Sequence, residues 1–247
     1  MAAETLAGRT ILVTRPRRQA ENLRREIGER GGKAVICPML EIVPAEVRLP
    51  PAWWRDQDWL VFVSANAVRY AVAAGLKAPA AKLAAIGRAT AAALEKNALP
   101  VACQAPPPYT SESLLSQSPF RQVTGHRVMI VRGVGGRPML AEELTRRGAK
   151  VSLLELYRRL PPEAGTVEKL RASLSEGLDG VLVTSGEALN NLSRAAGDQV
   201  ESLRSLVLIV SSARLASLAR AAGFANVATA SSAVDVDMLR ALEERLS

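Results

Sequence analysis

Short apolar runs of strand length recur along the chain, and between most of them apolar residues return every three or four positions. The runs are Ile11–Thr14, Ala34–Cys37, Leu60–Val63, Ala84–Ile86, Val101–Cys103, Val128–Val131, Val151–Leu154, Val181–Thr184, Val207–Val210 and Val227–Thr229. The intervening segments have helical spacing, as Leu140 and Leu144 show within 137–147. Near-continuous apolar strands alternating with helices predict parallel sheets covered on both faces. The ten runs divide into two five-stranded sheets, so an α/β protein is expected.

The same pattern contains an internal repeat. Residues 10–44 align without a gap on residues 127–161, an offset of 117, with seven identities: Arg15/Arg132, Leu23/Leu140, Glu26/Glu143, Arg30/Arg147, Gly31/Gly148, Lys33/Lys150 and Pro44/Pro161. A second pair, Asp58–Ala67 and Asp179–Ala188, is offset by 121, and a third begins at Arg88 and Arg214, offset by 126. The unit order is therefore A, B, A′, B′, which predicts two related halves with any site between them.

Two stretches interrupt the rhythm. Pro38–Pro44 and Glu155–Pro162 are extended, bounded by proline, and occupy equivalent places in A and A′. They read as two interdomain connectors.

Length and composition narrow the class. The 247 residues, 48% hydrophobic, can bury one large or two small cores. The alanine-rich stretch 71–94 is broken by Lys77, Lys82 and Arg88, so no membrane span is expected, and MAAETLAGRT lacks the pattern of a secretory signal. A cytoplasmic monomer is the expectation. Cys37 and Cys103 lie in separate strand runs and read as buried, inert thiols. With His126 as the single histidine, neither a metal cluster nor a Ser-His-Asp triad is expected, and no cofactor is implied.

Charge points to a partner class. The 32 Lys and Arg against 24 Asp and Glu give a net charge of +8, which favours an anion. Nucleic acid is not expected, because aromatic residues are few and no basic run exceeds three in a row. A small polyanion fits at least as well.

Polar residues gather where strands hand over to helices. They include Arg15, Ser64-Ala65-Asn66, Gly87-Arg88, Ser111-Glu112-Ser113, Arg132-Gly133 and Thr184-Ser185-Gly186. In open α/β sheets the ligand crevice lies at those strand ends, where helix N-termini offer free N–H groups and partial positive charge to carboxylate or phosphate. Serine and threonine there serve equally well as helix caps whatever the function. The Gly133-Val134-Gly135-Gly136-Arg137 loop lacks both GxGxxG and GK[ST] spacing. Arg15 and Arg132 are more telling, since an arginine ends a buried strand in both copies.

Seven segments, in order, carry a family likeness: Ile11-Leu12-Val13-Thr14-Arg15-Pro16, residues 61–68 (VFVSANAV), 85–91 (AIGRATA), 109–115 (YTSESLL), 131–137 (VRGVGGR), 156–159 (LYRR) and 183–186 (VTSG). Together they resemble the uroporphyrinogen-III synthase family. The segment Val210-Ser211-Ser212-Ala213-Arg214 departs from the family's Ile-Gly-x-x-Thr-Ala pattern.

The resemblance implies two flavodoxin-like domains, residues 1–37 with 163–247 and residues 46–154, joined by antiparallel connector strands at 38–45 and 155–162. It implies closure of hydroxymethylbilane, a linear tetrapyrrole with eight carboxylates, to uroporphyrinogen III with inversion of ring D and loss of water. The enzyme that makes hydroxymethylbilane is then a candidate partner for substrate transfer. The groups at the strand ends become carboxylate binders, and Tyr157 becomes the candidate general acid for the leaving hydroxyl, although a phenol with a pKa of about 10 donates reluctantly and hinge packing is its alternative role. A different class stays open: a non-catalytic tetrapyrrole-binding or regulatory relative, marked by the altered 210–214 segment. The chain's end at Ser247 counts against it, since regulatory relatives typically carry an added DNA-binding domain.

Overall fold

The computed structural model describes residues 4–246. In chain order the first elements are β1 (Thr10–Val13), α1 (Arg17–Glu29), β2 (Lys33–Ile36), β3 (Glu41–Pro44), β4 (Trp59–Phe62), α2 (Ala65–Ala73), β5 (Lys82–Ala85), α3 (Arg88–Lys96), β6 (Val101–Gln104), α4 (Ser111–Leu115) and α5 (Ser118–Arg121). They are followed by β7 (Arg127–Gly133), α6 (Met139–Arg146), β8 (Lys150–Leu160), α7 (Ala164–Glu176), β9 (Gly180–Val183), α8 (Gly186–Ala196), α9 (Val200–Ser205), β10 (Val207–Val210), α10 (Ala213–Ala221), β11 (Asn226–Thr229) and α11 (Asp235–Leu246).

The strands form two sheets, ordered β11-β10-β9-β1-β2 and β3-β8-β7-β4-β5-β6. The first is parallel throughout, and so are the pairings from β8 to β6 in the second. The protein is thus α/β with parallel-dominated sheets. The expected count of five strands per sheet is corrected in the second, which has six. The extra strand is β3, from the first connector; its backbone groups would need partners in either setting, and the Ala45 N–H donates to Leu156 O on the sheet edge. The second connector likewise continues β8 as far as Leu160.

Two compact units result. One contains the chain up to Glu41 and from Leu160 onward; the other is Ile42–Arg159. The repeat is visible inside each. β4 pairs with β7 so that Trp59 opposes Val128, and β9 pairs with β1 so that Gly180 opposes Ile11. Those partners are related by the sequence offsets, so unit B lies against A′ and unit B′ against A in the same register. An aspartate stands before each B strand. Asp58 accepts from the Arg127 N–H at 2.7 Å and Asp179 accepts from the Thr10 N–H at 2.8 Å.

Each sheet is covered on both faces by alternate side chains, the period-two consequence of the pleat. In the first unit Leu12, Val181, Val183, Leu208 and Val210 meet Leu170, Leu189, Leu192 and Leu215. Ile11, Val13, Leu182 and Ile209 meet Leu23 and Ile27 of α1 and Met238, Leu239 and Leu242 of α11. In the second unit Leu60, Phe62 and Val131 meet α2 and α3, while Trp59, Val61 and Ile130 meet Phe120, Leu140 and Leu144. The repeated identities are largely structural. Leu23 and Leu140 are buried, Glu26–Arg30 and Glu143–Arg147 are ion pairs, and Gly31 and Gly148 follow their helices at φ +78° and +83°, a conformation that suits glycine.

Candidate active-site groups at the strand ends

Strand order reverses direction of growth at β1/β9 in the first unit and at β7/β4 in the second. A crevice opens at such a switch point because the helices after the two central strands lie on opposite faces of the sheet.

In the second unit, β4 ends at Phe62 and α2 starts at Ala65, with Ser64 as its cap: the Ser64 hydroxyl accepts from the Ala67 N–H at 3.1 Å. Ala65 and Asn66 fill the first turn. Beside β4, β7 ends with Arg132 and Gly133, and here the β7–β8 register slips so that Arg132 opposes Glu155 but Gly133 opposes Tyr157. A bulge of this kind re-aims a side chain. Leu156 and Tyr157 are both buried as a result, and the Tyr157 ring lies against Gly133 so closely that a Cβ there would sit 2.5 Å from Cε2.

Tyr157 is fully enclosed. Its ring stacks on Tyr70 with centroids 5.7 Å apart at 16°, and the Arg159 guanidinium lies 5.6 Å from its centroid. Its hydroxyl makes a 2.9 Å hydrogen bond with Ser64 Oγ, in which either oxygen can donate, and accepts from Arg159 at 3.5 Å. Ser64 therefore links a helix N-terminus to a buried phenol. Tyr70 was not flagged by sequence reasoning; its hydroxyl donates to Ile42 O of β3 at 2.8 Å, tying the first connector to the same stack. Its signal was its rarity, as one of three tyrosines.

Arg132 is buried and donates to the carbonyls of Gly133 and Arg137, with the Glu155 carboxylate 3.6 Å away. Glu155 was also missed, because its place opposite Arg132 depends on the register. Gly87 and the exposed Arg88 begin α3 at the end of β5. After β6, the Thr110 hydroxyl accepts from the Ser113 N–H while Ser113 Oγ accepts from the Thr110 N–H, a reciprocal capping box around Ser111 and Glu112. Glu112's own backbone N–H, then Thr110 and nearby Arg137, hold its carboxyl below the usual glutamate range. A negative side chain in this first turn complements the helix dipole.

In the first unit, Ser185 repeats Ser64: its hydroxyl accepts from the Ala188 N–H at 3.1 Å, with Thr184 before it and Gly186 opening α8. Across the switch point, the Thr14 hydroxyl donates to Leu182 O at 2.7 Å. Arg15 forms an ion pair with Asp235 and donates to Ala233 O, which anchors the start of α11. The divergent segment keeps the local geometry, since the Ser212 hydroxyl accepts from the Leu215 N–H and caps α10.

No group of three metal-ligating side chains occurs among the described residues. Burial pushes the Cys37 thiol up, against weaker opposing influences from Lys169 and Arg17, and burial does the same at Cys103. Both thiols are free and buried, so neither is presented as a thiolate nucleophile.

The sequence as a whole matches a known group of proteins. The sequence profile described as uroporphyrinogen-III synthase HemD aligns with residues 21–239. The chain belongs to the uroporphyrinogen-III synthase family. Among relatives in that family, the uroporphyrinogen-III synthase of Salmonella typhimurium is 34% identical, the alignment covering 95% of this chain and 100% of that one. The Escherichia coli uroporphyrinogen-III synthase is 32% identical with the same coverage. Solved structures of the family share the fold. A mutant uroporphyrinogen III synthase from Thermus thermophilus matches with a TM-score of 0.63 at 20% identity, covering 97% of this chain and 99% of that one. The Helicobacter pylori uroporphyrinogen-III synthetase matches with a TM-score of 0.63 at 16% identity, covering 96% and 100%.

Proposed function

We propose that this protein is a uroporphyrinogen-III synthase, a cyclising lyase that converts hydroxymethylbilane to uroporphyrinogen III with inversion of ring D and loss of water. The observation that carries this reading is family membership over nearly the whole chain, with a 34% identical enzyme aligned end to end.

The architecture supports it. Numbered within the first unit, the strand order β2-β1-β9-β10-β11 is 2-1-3-4-5, the flavodoxin-like order. The second unit runs β8-β7-β4-β5-β6, a circular permutation of that order with β3 added at the edge. Reading the units as two flavodoxin-like domains explains why both have a switch point suited to anions. Carboxylates of the substrate would meet backbone N–H groups at the starts of α2, α3 and α4 in the second unit, with Arg88 and Arg132 adding charge; the start of α8 and Arg15 offer groups of the same kind in the first. Distributed binding of this kind makes single truncations of Ser111, Ser113, Thr184 or Ser185 mild; Ser64, bonded to the Tyr157 hydroxyl, is set apart from them.

The reaction asks for a proton on the leaving hydroxyl, after which the substituted carbon of ring D attacks the azafulvenium to give a spiro intermediate that fragments and recloses reversed. The Tyr157–Ser64 pair is the candidate donor. Tyr157 is enclosed and Ser64 half-buried, so Ser64 is the member positioned to pass a proton outward while Tyr157 replenishes it. Incubation with enzymatically generated hydroxymethylbilane and separation of the III and I isomers tests the reading. Isomer III in excess is expected, and isomer I alone would overturn it.

A further inference from the structure

The second unit contains a cavity of about 500 Å³ whose walls include Val47, Val134, Leu153 and Leu154. Val47, Val134 and Leu153 are 42%, 42% and 50% exposed, a concentration of apolar surface that is unusual in this unit. Three charged side chains share the lining: Arg158 and Glu46, paired with each other at 3.3 Å, and Glu155.

Glu155 separates this cavity from a buried cation. Its Oε1 lies 3.6 Å from Arg132 Nε and accepts from the Gly135 N–H at 3.2 Å. The Arg132 side chain is 7% exposed and that of Glu155 37%. A guanidinium so enclosed needs a counter-charge. Yet 3.6 Å is too long for a hydrogen bond, so Glu155 balances the charge without being clamped by it. The carboxylate occupies a seat made by one guanidinium and one loop N–H, at the edge of a cavity whose walls are apolar at Val47, Val134, Leu153 and Leu154 and whose paired Glu46 and Arg158 offset each other's charge.

We propose that this cavity is a carboxylate-binding site for which Glu155 is the built-in stand-in, displaced when a carboxylate on an apolar ring enters and takes over Arg132 and the Gly135 N–H. The chemistry fits a carboxylated pyrrole ring of the substrate or a separate aromatic acid; the first source rests on the proposed function, the site itself does not. A stand-in that leaves the seat open about a tenth of the time weakens apparent affinity about tenfold.

Phenylacetate is the probe, with neutral phenylacetamide as control, titrated by NMR against the full-length protein, Glu155→Gln and Glu155→Asp. The Gln variant is expected to bind phenylacetate about tenfold more tightly than wild type, with the shorter Asp in between and the amide indifferent. Equal affinity in all three proteins, or equal binding of acid and amide, overturns the proposal. If circular dichroism shows Glu155→Gln misfolded, the Asp variant decides by the same comparison. Inhibition of hydroxymethylbilane turnover then separates the sources: competitive inhibition assigns the site to the substrate's own ring, and non-competitive inhibition to a separate acid. Wild-type protein yielding only isomer I would remove the proposed function and leave the phenylacetate result standing.

Discussion

Removing one oxygen from Tyr157 separates its two roles. Tyr157→Phe keeps the enclosed ring, the stack on Tyr70 and the contact with Gly133, and deletes only the hydroxyl that meets Ser64 at 2.9 Å and Arg159 at 3.5 Å. Ser64 keeps its bond from the Ala67 N–H. The stability cost is that of the bond to Ser64 and the longer one from Arg159, about 1–2 kcal/mol in all, or roughly 2–8 °C in Tm for a chain of this size. If the hydroxyl feeds the proton needed by the leaving group, kcat falls by about 10² or more. A double-mutant cycle with Ser64→Ala sharpens the test: two residues passing one proton are not additive, so the double variant falls no further than the slower single one. The assay is the initial rate of isomer III formation, with Tm measured on the same samples. An unchanged rate in Tyr157→Phe would refute the proton role and leave Tyr157 as packing alone.

Other positions give independent checks. Gly133→Ala forces a Cβ to 2.5 Å from a ring with no room to retreat; a loss of about 1–3 kcal/mol is expected in denaturant unfolding, with Ser64–Tyr157 geometry and activity lost together. Asp58→Ala leaves the Arg127 N–H without its 2.7 Å partner, and a loss of about 1–3 kcal/mol is expected; an unchanged midpoint would show that water replaces the carboxylate. At Asp179 burial alone would raise the pKa, but the Thr10 N–H and Arg9 outweigh it and hold the carboxyl below its ordinary value. Its contribution is thus present above the ordinary aspartate pKa and lost on acidification through the lower folded value, so thermal melts of Asp179→Asn should lack that part of the acid dependence. Glu143, held down to about 2 by Arg146 first and Arg147 second, contributes above the ordinary glutamate pKa and loses that contribution as pH falls toward about 2; Glu143→Gln should flatten the same region of the profile.

The distribution of apolar residues determined the class of fold before any coordinates. Runs such as Val181–Val183 and Val207–Val210 are apolar at every position because parallel strands are buried on both faces. The ungapped repeat also determined which residues are equivalent, and the local caps at Ser64 and Ser185 follow from residue type next to a helix start. Tertiary structure decided what depends on register and on contacts distant in sequence. Whether Pro38–Pro44 stays a linker or adds β3 to a sheet depends on an edge offered by β8, more than a hundred residues later. The bulge that buries Tyr157 and leaves Glu155 opposite Arg132 depends on a one-residue slip in pairing, and a period-two element reverses its facing with each such slip. Arg15 and Arg132, identical by alignment, end in different surroundings, one anchored to Asp235 and one beside Glu155. Repetition in a chain sets backbone equivalence, but the partner of a long side chain is chosen by whichever element folds against it.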